Sequence, residues 1–359
     1  ETTDEKGELA AAKIIADELR CSGVDSQIDN WDQNRANIIA HIKSANLKPA
    51  LLFVCHLDVV GPGEAAWEHP PFAAVESNGK IYGRGSTDMK GGIASVVTAI
   101  RQIIDAGTKL QGDIILLCAA GEETDSCGVG RFARDCGWLG KLAGVVIPEP
   151  TDFAVVTAHR GLVWLKVVTK GKAAHSSAPE LGINAIGSMK AFLNELDKYR
   201  FDIQPHPLLG TCSMSINTIT GGKAMNVVPD RCEVGIDIRT LPGQGHHAII
   251  KDFEQIFTQL KQRCQTFNAE VCVDRAVEAM ETSSDCAFVK DFCDIVGADK
   301  TKAVGFTTDA PHFKNLGAPI VIFGPGKPEL CHKPDEYIAI SDLEKAATYY
   351  KNIILRFLA

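Results

Sequence analysis

A chain of 359 residues that is 45% hydrophobic and 23% charged can bury a large core and should divide into about two domains, since a domain takes roughly 100–200 residues. Its formal charge of −8, with no block of Lys or Arg, gives phosphate backbones and anionic lipids nothing to hold, which argues against nucleic-acid and membrane partners. No stretch approaches roughly 18 uninterrupted apolar residues, the opening residues carry charge every few positions, and the twelve cysteines form no C-x-x-C pair, so the expectation is a cytoplasmic protein with reduced thiols.

Residues 8–20 carry a helical pattern that ends near Gly23. The apolar run 51–55 leads into His56 and Asp58 in VCHLDVV. Residues i and i+2 of an extended chain share a side, so Asp58 can orient the His56 imidazole while its other nitrogen takes a metal. A satisfied histidine at a strand end explains the same residues. Asp88 lies in GRGSTDMKGGIA, between a glycine-rich turn and a helix over 92–105 that stops at Gly107. Its two oxygens could bridge two cations; the plain alternative is an N-cap.

The run 114–120 leads into the adjacent carboxylates Glu122 and Glu123. Two like charges after a buried strand are costly unless cations neutralise them. Neighbouring side chains point different ways, so one could bind metal while the other faces the substrate as a base; a solvated loop is the alternative. The run 142–148 leads into Glu149. Short, continuously apolar runs of this kind predict strands buried on both faces, with ligands gathered at their carboxyl ends.

The middle of the chain reads differently. Residues 162–170 predict a strand, 184–199 a helix, 212–220 a strand, and 231–239 a half-buried strand with Cys232, Val234, Ile236 and Ile238 on one face. A helix with Ile249, Phe253, Ile256, Phe257 and Leu260 on one stripe follows, then a strand over 269–274. The order βαββαβ is that of a ferredoxin-like module. Beyond it, the run 319–323 leads into Gly324, and His332 lies in ELCHKPDEY. His56, Asp88, one of the adjacent Glu122 and Glu123, Glu149 and His332 together form the mixture of imidazole and hard oxygen that suits zinc, cobalt or manganese.

Taken in order, HLDVV, GRGSTDMKGG, GEETDSCG, PEPTD, GKAAHSS and HKPDEY span nearly the whole chain and resemble the M20 metallopeptidase and amidohydrolase family. The resemblance implies a Zn-peptidase-like three-layer α/β/α catalytic domain built from residues 1–156 and 276–359, with a ferredoxin-like α+β dimerisation lid inserted at 157–275. It implies two divalent ions, zinc first and cobalt or manganese as alternatives, with His56 and Glu149 on one, Glu123 and His332 on the other, and Asp88 between both. Glu122 becomes the general base on a metal-bridging water, with Asp58 orienting His56. His175 matches a lid histidine that the partner subunit brings to the oxyanion; a surface histidine on a turn is its plain reading.

Arg239, Asn226, Arg160 and Thr308 match positions that line substrate pockets in similar enzymes. Their plain readings are a surface arginine, a turn former, a hinge ion-pair partner and a loop hydroxyl. Gly324 would pass close to substrate or only turn the chain. The family usually carries glycine where Cys55 stands. The reaction implied is hydrolysis of an amide in a small N-acyl amino acid by a cytoplasmic homodimer joined through the inserted domain. N-acetylornithine is the first substrate expected, with N-succinyl-diaminopimelate or a dipeptide as alternatives. A silent member that only binds a metabolite or metal is the reading of another class, and the presence of every ligand and of Glu122 argues against it.

Overall fold

A computed structural model of the chain describes all 359 residues. They form two compact units: residues 1–157, 281–303 and 308–359 make the first, and residues 158–280 and 304–307 the second.

The first unit opens with α1 (Leu9–Cys21), β1 (Ser26–Trp31), β2 (Arg35–Ile42) and β3 (Ala50–His56), and continues through β4 (Val75–Ser77), β5 (Lys80–Tyr82), α2 (Gly91–Asp105), β6 (Ile114–Ala119), α3 (Cys127–Asp135) and β7 (Leu142–Ile147) to β8 (Val156–His159). Buried Ala12, Ala16 and Leu19 fall on one stripe of α1. The helix stops where Gly23 takes a φ of 73°, and the N–H groups of Gly23 and Val24 return to the carbonyls of Arg20 and Leu19 at 2.9 and 3.1 Å, the pattern a left-handed glycine permits.

The second unit holds β9 (Gly161–Lys170), β10 (Ala174–His175), α4 (Ala185–Leu196), β11 (Ser213–Gly221), β12 (Val227–Val228), β13 (Arg231–Thr240), α5 (His246–Arg263) and β14 (Ala269–Val277). After it come β15 (Met280–Glu281), α6 (Ala287–Val296), β16 (Lys302–Val304), β17 (Ile320–Ile322), β18 (Tyr337–Ala339) and α7 (Ile340–Leu358).

In the first unit the strand order runs β1-β2-β6-β3-β7-β17. Strands β6, β3, β7 and β17 are parallel, and β2 joins β6 antiparallel. Every residue of β3 and β6 is buried, as expected of a sheet covered on both faces. Leu51, Phe53 and Cys55 turn to one side, into a cluster with Ile100 of α2 and Tyr350 of α7. Tyr350 meets Phe53 edge-on at 5.8 Å, and its buried hydroxyl donates to the Phe323 carbonyl at 2.8 Å. Because the central strands are parallel, His56 and Ala119 end side by side, and the segments leaving β3, β6, β7 and β17 all emerge at one rim.

The second unit is a four-stranded antiparallel sheet in the order β11-β13-β9-β14. Alternate residues of β13 are buried, and Val234, Ile236 and Ile238 pack with Met189 and Phe192 of α4 and Phe253 of α5. The unit reaches Met280 rather than 275. The reason is that β14, after a register shift beyond Val273, keeps pairing with β9 as far as Val277.

Candidate metal centre

Two groups of donors lie at the carboxyl rim of the first unit: His56, Asp88 and Glu149 in one, Asp88, Glu123 and His332 in the other, with ligand atoms within 4.8 Å of one another inside each group. Asp88 belongs to both. Its Oδ1 is 3.1 Å from His56 Nε2 and its Oδ2 is 3.2 Å from His332 Nε2. Glu149 Oε1 stands 3.6 Å from His56 Nε2, and Glu123 Oε1 stands 2.9 Å from His332 Nε2. Asp88 is not an N-cap of α2, whose cap position is Lys90 and whose first turn receives no side-chain cap.

Buried carboxylates fix the loops that carry these groups. Asp58 accepts the N–H groups of Gly121 and Glu122 on Oδ1 at 2.9 and 3.1 Å and that of Glu123 on Oδ2 at 3.0 Å. It therefore shapes the turn bearing both glutamates. The His56 imidazole meets Asp58 mainly through the backbone: Nδ1 lies 3.0 Å from the Asp58 carbonyl oxygen and 3.6 Å from its carboxylate. Donation from Nδ1 to that carbonyl leaves Nε2 turned toward Asp88.

Two glycines account for how Glu149 is reached. A β-carbon on Gly92, in the first turn of α2, would stand 2.3 Å from the Pro148 carbonyl oxygen, and one on Gly324 would stand 2.5 and 2.6 Å from the carbonyl oxygens of Pro148 and Glu149. The Pro148–Glu149 backbone is thus clamped between α2 and the turn after β17. This gives Gly324 a packing reason of its own, apart from any approach to substrate.

The electrostatics are those of crowded acids. Burial raises the Glu122 carboxyl well above its ordinary value; His56 opposes this, while Asp309, Glu149 and Glu123 add to it. Burial likewise raises Glu149, against the pull of His56 and with the repulsion of Asp88, Glu123 and Asp309. Burial alone would lower His56, but Glu149, Asp58 and Asp88 hold it well above the usual imidazole range. His332 is pushed up to about 10 by its hydrogen bonds to Asp88 and Glu123. Divalent cations would relieve this repulsion, and imidazole nitrogen mixed with carboxylate oxygen is a donor set for zinc, cobalt or manganese. The residues fit such ions.

Sequence reasoning missed two acids. Glu336, four residues after His332, is fully buried and accepts the N–H groups of Gly85, Thr87 and Asp88 at 3.0, 2.9 and 3.0 Å. Asp309 is 3% exposed and acts on both Glu122 and Glu149. The second of the two adjacent acids in HKPDEY, just before Tyr337 and the apolar Ile338, was the available signal for the first; nothing local marks the second.

Thr308, also in this unit, is buried, and its hydroxyl accepts the Ala310 N–H at 3.1 Å.

Four of the sequence-derived residues belong to the second unit. His175 is exposed on β10, opposite Val227 of β12. Its Nδ1 receives the Ser177 N–H at 3.2 Å and lies 2.7 Å from the Ser177 hydroxyl, so Nδ1 is the acceptor and Nε2 carries the proton. Asn226 is exposed, and its carbonyl accepts the Ser176 N–H at 3.0 Å. Arg239 is held in a forked contact by Asp237 at 2.8 and 3.1 Å. Arg160 donates to the carbonyls of Thr211, at 2.7 Å, and Leu209. It is a loop brace and not the ion-pair partner that its position suggested, because carbonyl oxygens take its guanidinium.

A mixed α/β unit that gathers two imidazoles and three carboxylates at the rim of its parallel strands, interrupted by a ferredoxin-like unit, defines a metal-dependent amidohydrolase. The chain matches Peptidase family M20/M25/M40 over residues 52–356, and it belongs to that family, as the order of its motifs implies. It is 30% identical to a probable succinyl-diaminopimelate desuccinylase of Staphylococcus aureus (strain N315), covering 99% of this chain and 94% of the relative. It is 29% identical to an acetylornithine deacetylase of Proteus mirabilis (strain HI4320), covering 99% and 91%. Its fold is similar to that of the aminopeptidase PepT of Bacillus cereus (ATCC 10987), with a TM-score of 0.78 at 20% identity over 97% and 92% of the two chains.

Proposed function

We propose that this chain hydrolyses the amide bond of a small N-acyl amino acid, with N-acetylornithine and N-succinyl-diaminopimelate as the first substrates to test and dipeptides after them. The observation that carries the reading is Asp88, which offers one oxygen to each of two three-donor groups beside Glu122. The two ions are assigned to His56 with Glu149 and to Glu123 with His332, Asp88 lying between, and zinc is the first metal to try. Bound there, divalent ions supply Lewis acidity toward the scissile carbonyl and the attacking water.

The chain's own groups do the rest. Glu122, its basicity raised by burial and neighbouring acids, accepts the proton of the attacking water and returns it to the leaving amine. Asp58 holds the turn from which Glu122 projects. His175, whose Nε2–H is its free donor, is assigned to the developing oxyanion. Arg239 is proposed to grip a substrate carboxylate, exchanging Asp237 for it. Asn226, Arg160, Thr308 and Gly324 are proposed as further substrate contacts. Dimerisation is proposed through the second unit.

The test is an assay of metal-reconstituted protein against the three substrate types, repeated with Glu122→Gln. One substrate should stand clear of the others, and the variant should lose roughly 10²–10⁴-fold in kcat while its metal content is retained. Undiminished turnover by Glu122→Gln would remove Glu122 from the role of base.

A further inference from the structure

We infer that Glu336 is the positioning residue that holds the Asp88 and His332 loops in register for a shared cation, an assignment that rests on the metal-centre reading above. Its carboxylate is fully buried. Oε1 accepts three backbone N–H groups, from Gly85, Thr87 and Asp88, at 2.9–3.0 Å. Oε2 receives Arg84 Nη1 at 2.6 Å. A buried carboxylate with this many donors is fully satisfied and strongly oriented.

The lacing extends beyond the carboxylate, with donors on the Asp88 segment and acceptors on the segment after His332. The Gly83 N–H donates to the Glu336 carbonyl at 2.8 Å, the Thr87 hydroxyl donates to the Tyr337 carbonyl at 2.5 Å, and Arg84 Nη1 also reaches the Lys333 carbonyl at 3.3 Å. Gly85 has a φ of 84°, and a β-carbon there would stand 2.6 Å from Val59 Cγ1; only glycine can turn its N–H onto Glu336 at that spot. His332 itself has a φ of 64°, a left-handed conformation that its β-carbon disfavours and that surrounding contacts must hold.

The two donor groups depend on this lacing unequally. Asp88 and His332 both belong to the group containing Glu123, and both lie on laced segments. The group containing His56 and Glu149 shares only Asp88. Removing the Glu336 carboxylate therefore weakens one ion more than the other.

Calorimetric titration of metal-stripped protein with Co²⁺ tests this. Wild type should take up two ions in two steps, and His332→Ala identifies the step that involves His332. Glu336→Ala should weaken that same step by roughly 10–100-fold, as loss of an outer partner of a metal ligand does, and leave the other within about threefold. Glu336→Gln keeps an oxygen acceptor for the three backbone N–H groups and should weaken that step less than Glu336→Ala does; weakening as large as in Glu336→Ala overturns the inference. If Glu336→Ala does not fold, Thr87→Val removes another lace and should weaken the same step.

Unchanged binding in folded Glu336→Ala overturns the inference, and so does equal weakening of both steps, which marks a merely structural role. For Thr87→Val, an unchanged His332 step overturns it as well. Wild-type protein that binds no Co²⁺ sinks the metal centre itself, and this assignment with it.

Discussion

Asp88 turns one oxygen to each histidine, at 3.1 and 3.2 Å, and a single carboxylate can do this only if its loop is held from behind. Four of the five ligand residues were legible from the chain because each follows an apolar run or a glycine-rich turn; His332 was legible only through the resemblance of HKPDEY. Their supports were not: Glu336 acts on Asp88 across 248 residues, and Asp58 on Glu123 across 65, pairings that no local pattern encodes.

His159, which belongs to neither donor group, carries a prediction of its own. It is fully buried, with Nδ1 2.8 Å from the Arg160 carbonyl and Nε2 lacking a hydrogen-bond partner. Burial lowers its pKa to about 4, although the Arg160 carbonyl pulls the other way. The unfolded imidazole titrates near the ordinary value of about 6.5, so below that pH the unfolded state binds the extra proton first. Stability tied to His159 is complete above about pH 6.5 and is lost as pH falls toward 4, by up to about 3 kcal/mol. In urea titrations His159→Phe should lessen the acid-side loss over that interval. An unchanged slope would contradict the assignment.

At the scale of elements, the candidate centre depends on backbone being allowed to touch backbone. Gly92 and Gly324 let α2 and the turn after β17 close on the Pro148–Glu149 peptide. Gly92→Ala would set a β-carbon against a carbonyl oxygen that has no flexible side chain to give way, so α2 or the end of β7 must shift. We expect a loss of about 1–3 kcal/mol in denaturant melts, together with weaker binding of the ion assigned to Glu149. Wild-type stability would show that the clamp is looser than described.

Strands β3, β6 and β7 were readable because they are apolar throughout, and α1 and α2 because their stops are glycines. The β1–β2 hairpin was not foreseen. Strand β1, SQIDNW, is mostly polar with no residue fully buried, so it lacks the period-two signal of a half-buried strand. Strands β4, β5 and β18 have three residues each, too few for any period to show.

At the scale of the whole molecule, the two units were legible for different reasons: buried parallel strands for the first, the order βαββαβ for the second. Two features blurred their boundaries. Strand β14 continues past its register shift, and residues 304–307 return to the second unit. No helix is long and apolar enough to cross a membrane. The proposed dimer has a candidate surface in β11, an edge strand of the second unit's sheet on which Ile216 and Ile219 are 42% and 61% exposed. Unpaired edges with apolar side chains invite pairing with another chain. Light scattering should give a dimer mass for wild type and a monomer mass for Ile219→Lys; an unchanged dimer would place the interface elsewhere.

The central claim is that two cations share Asp88, and anomalous diffraction from crystals grown with zinc tests it most directly. Two peaks are predicted, one beside His56 and Glu149 and the other beside Glu123 and His332, each about 2.0–2.2 Å from an Asp88 oxygen. A lone peak that leaves Asp88 without a metal contact, or peaks away from these five side chains, would contradict the account.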